Sequence, residues 1–379
     1  LDFALSDDQI AFRDTARAFA VGEMEPHAAE WDRTSFFPRK TLERAAALGF
    51  GALYCDPAHG GTGLGRLDAA LVFEELARGC TSTAAFLSIH NMASWMIDRY
   101  GQPALRAELG PDLASMARVA SYCLTEPGSG SDAASLKTRA VRDGGDYLVT
   151  GTKAFISGGG AADVYVVMAR TGADGSRGIS TFVVEAGAAG LSFGAQERKL
   201  GWKSQPTAMV ILEQVRVPAS HRLGAEGEGF RIAMSGLDGG RINIAACSLG
   251  GASFALDRTL SYVKERQQFG QALSEFQALR FRLADMATDL EAARLMVHRA
   301  ADALDRRDPA ATRLAAMAKR FATDACFTIV NECLQLHGGY GYLQDYPIER
   351  ILRDVRVHQI LEGTNEIMRM IIARDLIGA

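Results

Sequence analysis

The chain lacks most of the features that would fix its chemistry at a glance. Its six cysteines, Cys55, Cys80, Cys123, Cys247, Cys326 and Cys333, include no Cys-x-x-Cys pair, and no zinc-type Cys/His spacing occurs. They read as reduced core thiols of a cytosolic or matrix protein: cytoplasmic in a bacterium, mitochondrial matrix in a eukaryote with a leader removed. No apolar run approaches the roughly 20 residues that span a bilayer. Residues 1–7 carry neither a signal-type apolar core nor an Arg-rich leader, so a soluble chain is expected. Neither sign of charge dominates: 41 Lys and Arg against 45 Asp and Glu leave a net charge of -4. That balance offers no field for drawing the chain onto nucleic acid or an anionic membrane. A Gly-x-Ser-x-Gly elbow and a P-loop are missing. The glycine-rich stretches 60–65 and 224–229 fail the Gly-x-Gly-x-x-Gly spacing, which leaves a Rossmann dinucleotide site unsupported.

What is present divides into three parts. A chain of 379 residues exceeds a usual single core and predicts two or three units. Ser6-Asp7-Asp8-Gln9 is a capping-box pattern opening a helix towards Ala29. Helical periodicity then continues to about Arg118, with helices over 67–77 and 84–100 separated by the breakers Gly79-Cys80-Thr81-Ser82. Short β-rich runs follow at 147–149, 164–168, 179–184 and 209–212, with Asp143-Gly144-Gly145-Asp146 as a hairpin signal. After Gly229 long helices return. Leu279, Leu283, Met286, Leu290, Ala293, Val297, Ala300 and Leu304 recur at alternating spacings of four and three, a stripe suited to an antiparallel bundle. Asp308-Pro309 is expected to restart the next helix as N-cap and N1, and Gly338-Gly339 to end it. The expected fold class is α+β: helical domain 1–118, β domain 119–223, helical bundle 224–379.

Several polar or glycine-rich segments could carry chemistry. Tyr122-Cys123-Leu124-Thr125-Glu126-Pro127-Gly128-Ser129-Gly130-Ser131-Asp132 leaves a strand for a loop of small residues, whose amides and hydroxyls suit a planar ring or a phosphate, or an ordinary surface turn. Lys153-Ala154-Phe155-Ile156-Ser157-Gly158-Gly159 places an aromatic and a hydroxyl beside a glycine turn, or is a plain strand end. Asp238-Gly239-Gly240-Arg241 interrupts a helical pattern, which indicates either close backbone approach, a bound group or a plain inter-helix turn. Arg266-Gln267-Gln268-Phe269-Gly270 offers a cation for phosphate, or a solvated helix end. His337, just before the glycine pair, suits a helix C-terminus as a positive imidazole. Glu362, in Leu361-Glu362-Gly363-Thr364-Asn365-Glu366, is a candidate base with a raised pKa, or a loop surface charge.

In combination these segments occur in the order and at roughly the spacing found in the acyl-CoA dehydrogenase family, which the chain resembles from about Ser6 to its end. Residues 122–132 look like the family's flavin loop, Arg266-Gln-Gln-Phe-Gly like its Arg-x-x-Phe-Gly segment, and Glu362-Gly363-Thr364 like its catalytic Glu-Gly-Thr. The resemblance implies the family fold, with a β-barrel-like middle domain and a C-terminal four-helix bundle. It implies FAD held by Tyr122, Leu124, Thr125, Gly130, Ser131, Phe155, Ile156 and Ser157, and by Thr364, Asn365 and Glu366. Arg266, Phe269, Phe276, Gln277, Gln335, Leu336, His337, Gly338 and Gly339 would contact FAD bound mainly by a neighbouring subunit. Substrate contacts fall on Ser131, Asp238, Gly239, Gly240, Arg241, Gly363 and Arg374, with Glu362 as the base.

Residues 80–83, 88–92 and 95–98, and Gly158-Gly159-Gly160 after Phe155-Ile156-Ser157, are most similar to family members acting on isobutyryl-CoA in valine breakdown. The implied reaction is α,β-dehydrogenation of a short branched acyl-CoA, isobutyryl-CoA to methacrylyl-CoA. Its implied partners are an electron-transferring flavoprotein and three further copies of the chain; neither nucleic acid nor membrane is among them. Short straight-chain or 2-methylbutyryl-CoA dehydrogenation, acyl-CoA oxidation and a non-catalytic scaffold are the alternatives. Two positions depart from the family pattern: Phe155 stands where many members carry Trp, and Ala272 where Pro is frequent.

Overall fold

The computed structural model describes residues 4–378. Ser6 caps helix α1 (Asp7–Phe19) through a capping box shared with Gln9, as the sequence pattern requires. The helix continues through a π turn, Ala20–Met24, into α2 (Glu25–Thr34). Helices α3 (Arg39–Ala47), α4 (Arg66–Gly79), α5 (Thr81–Tyr100) and α6 (Pro103–Ala114) complete the first unit. The break between α4 and α5 is narrower than expected. Only Cys80 is extended, and Thr81 and Ser82 already belong to α5. Thr81 Oγ1 donates back to the Ala77 carbonyl at 3.1 Å, so a hydroxyl that reads as a breaker is satisfied along the helix.

The middle unit comprises β1 (Ala120–Cys123), β2 (Arg139–Asp143), β3 (Asp146–Ser157), β4 (Val164–Arg170), β5 (Ile179–Glu185), β6 (Leu191–Phe193), β7 (Thr207–Pro218) and β8 (Arg222–Leu223). Strand order is β6-β7-β3-β2-β4-β5-β8, with β1 parallel to β4. The path is open, barrel-like rather than a closed barrel. Asp143 pairs with Asp146 across the Gly144-Gly145 turn, as expected for that hairpin.

Helix α7 (Gly229–Glu265) runs unbroken for 37 residues, and Asp238-Gly239-Gly240-Arg241 lies inside it. The inter-helix turn is thus ruled out, and close approach is what the two glycines serve. A Cβ on Gly239 would lie 2.3 Å from Arg66 Nη1, and one on Gly240 2.5 Å from Glu362 Oε2. Each glycine costs about 1 kcal/mol of helix propensity, which burial on all faces from Arg241 to Leu256 offsets. A two-strand ribbon, β9 (Gln267–Gln268) and β10 (Gln271–Ala272), then turns through Phe269-Gly270, both left-handed as a two-residue hairpin loop demands.

Helices α8 (Gln277–Asp305) and α9 (Ala311–His337) pack on α7 and on each other, and α10 (Ile348–Arg356) and α11 (Asn365–Ile377) pack against α9. The predicted α8 stripe is the buried one, from Met286 through Leu290, Ala293 and Val297 to Ala300. Asp308-Pro309 does not open α9, whose first residue is Ala311. The Asp308 N–H still bonds to the Ala303 carbonyl at the end of α8, while Asp308 Oδ1 accepts from the Ala310 N–H at 2.8 Å. Asp308 therefore serves the turn before the cap. Gly338, at φ 58, ends α9 as expected. All six cysteines are free and buried.

Candidate active site

Two successive left-handed residues, Glu362 (φ 56) and Gly363 (φ 87), carry the chain from the turn after α10 into α11. A non-glycine residue in that conformation persists only where its surroundings hold it. Two buried cations do so by gripping successive carbonyls. Arg241 Nε donates to the Glu362 carbonyl at 3.3 Å, and Lys319 Nζ to the Gly363 carbonyl at 2.8 Å. Arg241 is itself tied to Asp238 Oδ1 at 2.6 Å, and Asp238 Oδ2 accepts from Thr312 Oγ1 of α9 at 2.7 Å. Lys319 also reaches Asn365 Oδ1 at 2.9 Å.

Residue Glu362 is partly exposed as a whole, yet its Oε2 is buried and has no hydrogen-bond partner among the described residues. It faces the Gly240 surface of α7, where Met92 of α5 also arrives. Burial pushes the carboxyl pKa up to about 7, against the opposing pull of Arg241 and Lys319. Burial likewise lowers the Lys319 ammonium to about 7, with Glu362 opposing the shift. The Glu362 N–H has no acceptor among the described residues. A carboxylate half charged near neutrality, beside a free backbone donor, can take a proton from a carbon acid while the donor steadies the adjacent carbonyl oxygen.

A second group of candidates meets at the ends of β1 and β3. The Ala154 N–H donates to the Thr125 carbonyl at 2.8 Å, and Ser121 Oγ to the Ser157 carbonyl at 2.6 Å. Tyr122 faces the Glu362 site, where burial and the Glu362 charge raise its phenol pKa. Regular alternation along β3 would turn Phe155 inward with Tyr147, Val149 and Lys153. A register shift between Lys153 and Ile156, with Phe155 at φ 57, turns it out instead, 68% exposed. Gly130 and Ser131 are exposed in the adjoining loop. An uncovered ring next to open backbone and small residues fits a planar group with polar edges.

Below that loop lies a pair that sequence reasoning missed. Lys153, fully buried, donates to Glu126 Oε1 at 2.8 Å and to the Leu124 carbonyl at 3.1 Å. Glu126 also accepts from the N–H groups of Lys137 and Thr138 at 2.7 and 3.0 Å. Burial alone would raise its pKa, but Lys153 and these donors win and hold the carboxyl below its usual range. Lys319 was missed as well. In both cases a signal existed: Lys153 occupies an inward strand position, and Lys319 lies on the stripe of Ala315, Ala322, Cys326 and Val330.

A third group stands at the far end of α7, about 37 Å from Arg241 at 1.5 Å per residue. Arg266 lies over the Tyr340 ring at 5.6 Å. Phe269 is 94% exposed and meets Phe276 edge-on at 6.3 Å. Gln277, Gln335, Gly338 and Gly339 are exposed close by in sequence, and Leu336 is buried. His337 is buried, stacked on Tyr262 at 4.3 Å, and bonded through Nδ1 to the Cys333 carbonyl at 2.8 Å. Burial lowers its pKa, so the positive imidazole expected at this helix end is replaced by a packed ring.

The remaining candidates scatter. Thr364 caps α11 by accepting from the Ile367 N–H at 3.3 Å, and Asn365 is buried against Thr323 and Asp324. Glu366 is exposed, and Arg374, also exposed, makes no ion pair or side-chain hydrogen bond among the described residues.

Three family models cover the chain: acyl-CoA dehydrogenase N-terminal domain over residues 6–117, middle domain over 121–215 and C-terminal domain over 227–377. The chain belongs to the acyl-CoA dehydrogenase family. Mitochondrial isobutyryl-CoA dehydrogenase of Bos taurus is 57% identical over 98% of this chain and 90% of its own length. The Dictyostelium discoideum protein of the same name is 54% identical over the same shares. The solved butyryl-CoA dehydrogenase of Megasphaera elsdenii superposes with a TM-score of 0.97 at 37% identity, each chain covered completely. Acyl-CoA dehydrogenases of this likeness share the three-unit fold, helical, β and helical again. No helix among the described residues is long and apolar enough to cross a membrane, and no acidic, His or Cys cluster could hold a metal.

Proposed function

We propose that this acyl-CoA dehydrogenase oxidises the α,β bond of a short branched acyl-CoA, foremost isobutyryl-CoA to methacrylyl-CoA in valine catabolism, with Glu362 as the base. The observation that carries this reading is the unpartnered, buried Glu362 Oε2, poised near neutral pH against Gly240 of α7. The 57% and 54% identical relatives support the branched substrate. FAD is the cofactor, and when bound it supplies the hydride acceptor. The ends of β1 and β3, with Tyr122, Leu124, Thr125, Gly130, Ser131, Phe155, Ile156 and Ser157, would hold its ring.

Glu362 Oε2 takes the α proton. The Glu362 N–H holds the thioester carbonyl, and Arg241 and Lys319 keep that N–H aimed by fixing the two carbonyls of the turn. Asp238, Gly239, Gly240, Gly363 and Arg374 complete the substrate side. Thr364, Asn365 and Glu366 sit at the N-terminus of α11, whose dipole favours an anionic group. Domain limits at 118/119 and 223/224 place the catalytic turn and the flavin loop in different units.

One chain's Arg266 cluster is too far along α7 to serve its own Glu362 site. Exposed Phe269, Phe281 and Tyr342 near that end favour packing against another copy. Arg266, Phe276, Gln277 and the turn at Gln335, His337 and Gly339 would then reach a neighbour's FAD within a tetramer. An electron-transferring flavoprotein would reoxidise the enzyme, and the compartment would be the bacterial cytoplasm or the mitochondrial matrix.

A panel of isobutyryl-, 2-methylbutyryl-, isovaleryl-, butyryl- and octanoyl-CoA tests the substrate, scored by anaerobic bleaching of bound flavin. Isobutyryl-CoA is expected to bleach fastest; a straight-chain preference would discard the branched assignment and keep the family. The base is tested by pH. Its raised pKa predicts that kcat/KM falls as pH drops, with a midpoint between roughly 6 and 8. A profile flat down to about pH 5 would exclude a carboxyl with that pKa.

A further inference from the structure

Arg66, the first residue of α4, is buried yet its side chain pairs with no carboxylate among the described residues. Its guanidinium carbon lies 3.6 Å from the centroid of Tyr54 and 4.8 Å from that of Trp95. Nη1 has no hydrogen-bond acceptor among the described residues. Asp305, the nearby acid, accepts from the Arg66 backbone N–H at 2.7 Å. On the same Tyr54, Asn243 Nδ2 donates to the hydroxyl at 3.0 Å, leaving Asn243 Oδ1 without a donor. A buried cation with unmade hydrogen bonds is unfavourable unless its position is useful.

That position adjoins the Glu362 site. Arg66 Nη1 presses on Gly239 and Glu362 Oε2 on Gly240, neighbouring residues of α7. Chain geometry alone then keeps the guanidinium and the carboxylate within roughly 12 Å of each other. Met92 and Trp95 lie one turn apart on α5, the first against Gly240 and the second against Arg66. An acyl group with its α carbon at Glu362, extending past Met92 in the direction of Trp95 on α5, would end at the guanidinium.

We propose that Arg66, held between Tyr54 and Trp95, is a specificity-determining residue that forms the polar end wall of the acyl pocket and limits acyl length. A short acyl group stops before the wall, and ordered water can satisfy Nη1 and Asn243 Oδ1. A longer chain brings methylenes against a charge and strips that water. The inference rests on the reading of Glu362 as the base.

The test is the ratio of kcat/KM for hexanoyl-CoA to that for butyryl-CoA, measured on flavin-containing enzyme. Arg66→Met keeps the length of the side chain and removes its charge, and should raise the ratio about tenfold or more. Arg66→Lys should keep it near the wild-type value. Should Arg66→Met fail to fold, Arg66→Gln carries the same test with a smaller rise. A purely structural role would lower both rates together and leave the ratio alone. An unchanged ratio in every folded variant overturns the proposal, and if Glu362→Gln is inactive in the same assay, the end wall fails alone while the base stands.

Discussion

Glu362→Gln is expected to fold, bind FAD and turn over at least about a thousandfold more slowly than wild type, within the range by which a positioned base accelerates proton transfer. The amide keeps the size of the side chain and cannot accept the α proton. Full flavin content would show that the site still assembles. The same variant should shift the pH dependence of stability. The folded pKa of Glu362, about 7, lies above its unfolded value, so folding is penalised once the unfolded carboxyl ionises. The penalty is absent at low pH, grows above about pH 4.3 and is complete above pH 7. The stability of Glu362→Gln relative to wild type should therefore rise by about 2.5 kcal/mol between about pH 5 and pH 8, measured at fixed FAD concentration. A pH-independent difference would mean that this carboxyl is not held neutral by burial.

Lys153→Met is expected to cost about 3–5 kcal/mol, the usual effect of breaking a buried ion pair from one side. The substitution leaves Glu126 charged and buried and strips the Leu124 carbonyl of its donor. Since Leu124 and Thr125 begin the loop that meets Phe155, FAD content should fall with stability. Glu126 has a folded pKa below its unfolded one, so its stabilising contribution is present above about pH 4.3 and lost as pH falls through the lower, folded value. Lys153→Met should remove that contribution, and Lys153→Met with Glu126→Gln should recover part of the lost stability. A wild-type melting temperature with undiminished FAD in the single variant would show that the pair does not support the loop.

Periodicity made the helices and most strands legible, because a 3.6-residue or 2-residue repeat survives whatever packs against it. The failures occurred where a contact distant in sequence overrides a local signal. Gly239-Gly240 reads as a break, yet α7 continues because Arg66 and Glu362 occupy the space where side chains would be. Thr81 and Ser82 read as breakers and are helical, and Asp308 reads as a cap and serves the preceding turn. Glu362 was legible as a candidate base through the resemblance of its motif. The structure adds features that suit that proposed role: an orphaned oxygen, two left-handed residues and cations on both carbonyls. Lys153, Lys319 and Arg66 were visible as charges in apolar surroundings, but their partners lie 27, 44 and 12 residues away, at Glu126, Gly363 and Tyr54. A single sequence without the fold does not connect them. The outward turn of Phe155 had no signal at all, since it depends on a register shift against β7.

The most direct test of the account is a single anaerobic turnover. One equivalent of isobutyryl-CoA per flavin is mixed with wild-type holoenzyme, flavin absorbance is followed, and the product is weighed by mass spectrometry. Loss of the oxidised-flavin absorbance together with an acyl-CoA lighter by two hydrogens is the expected result. Retained absorbance with unchanged acyl-CoA, for this substrate and for every other member of the panel, would contradict it.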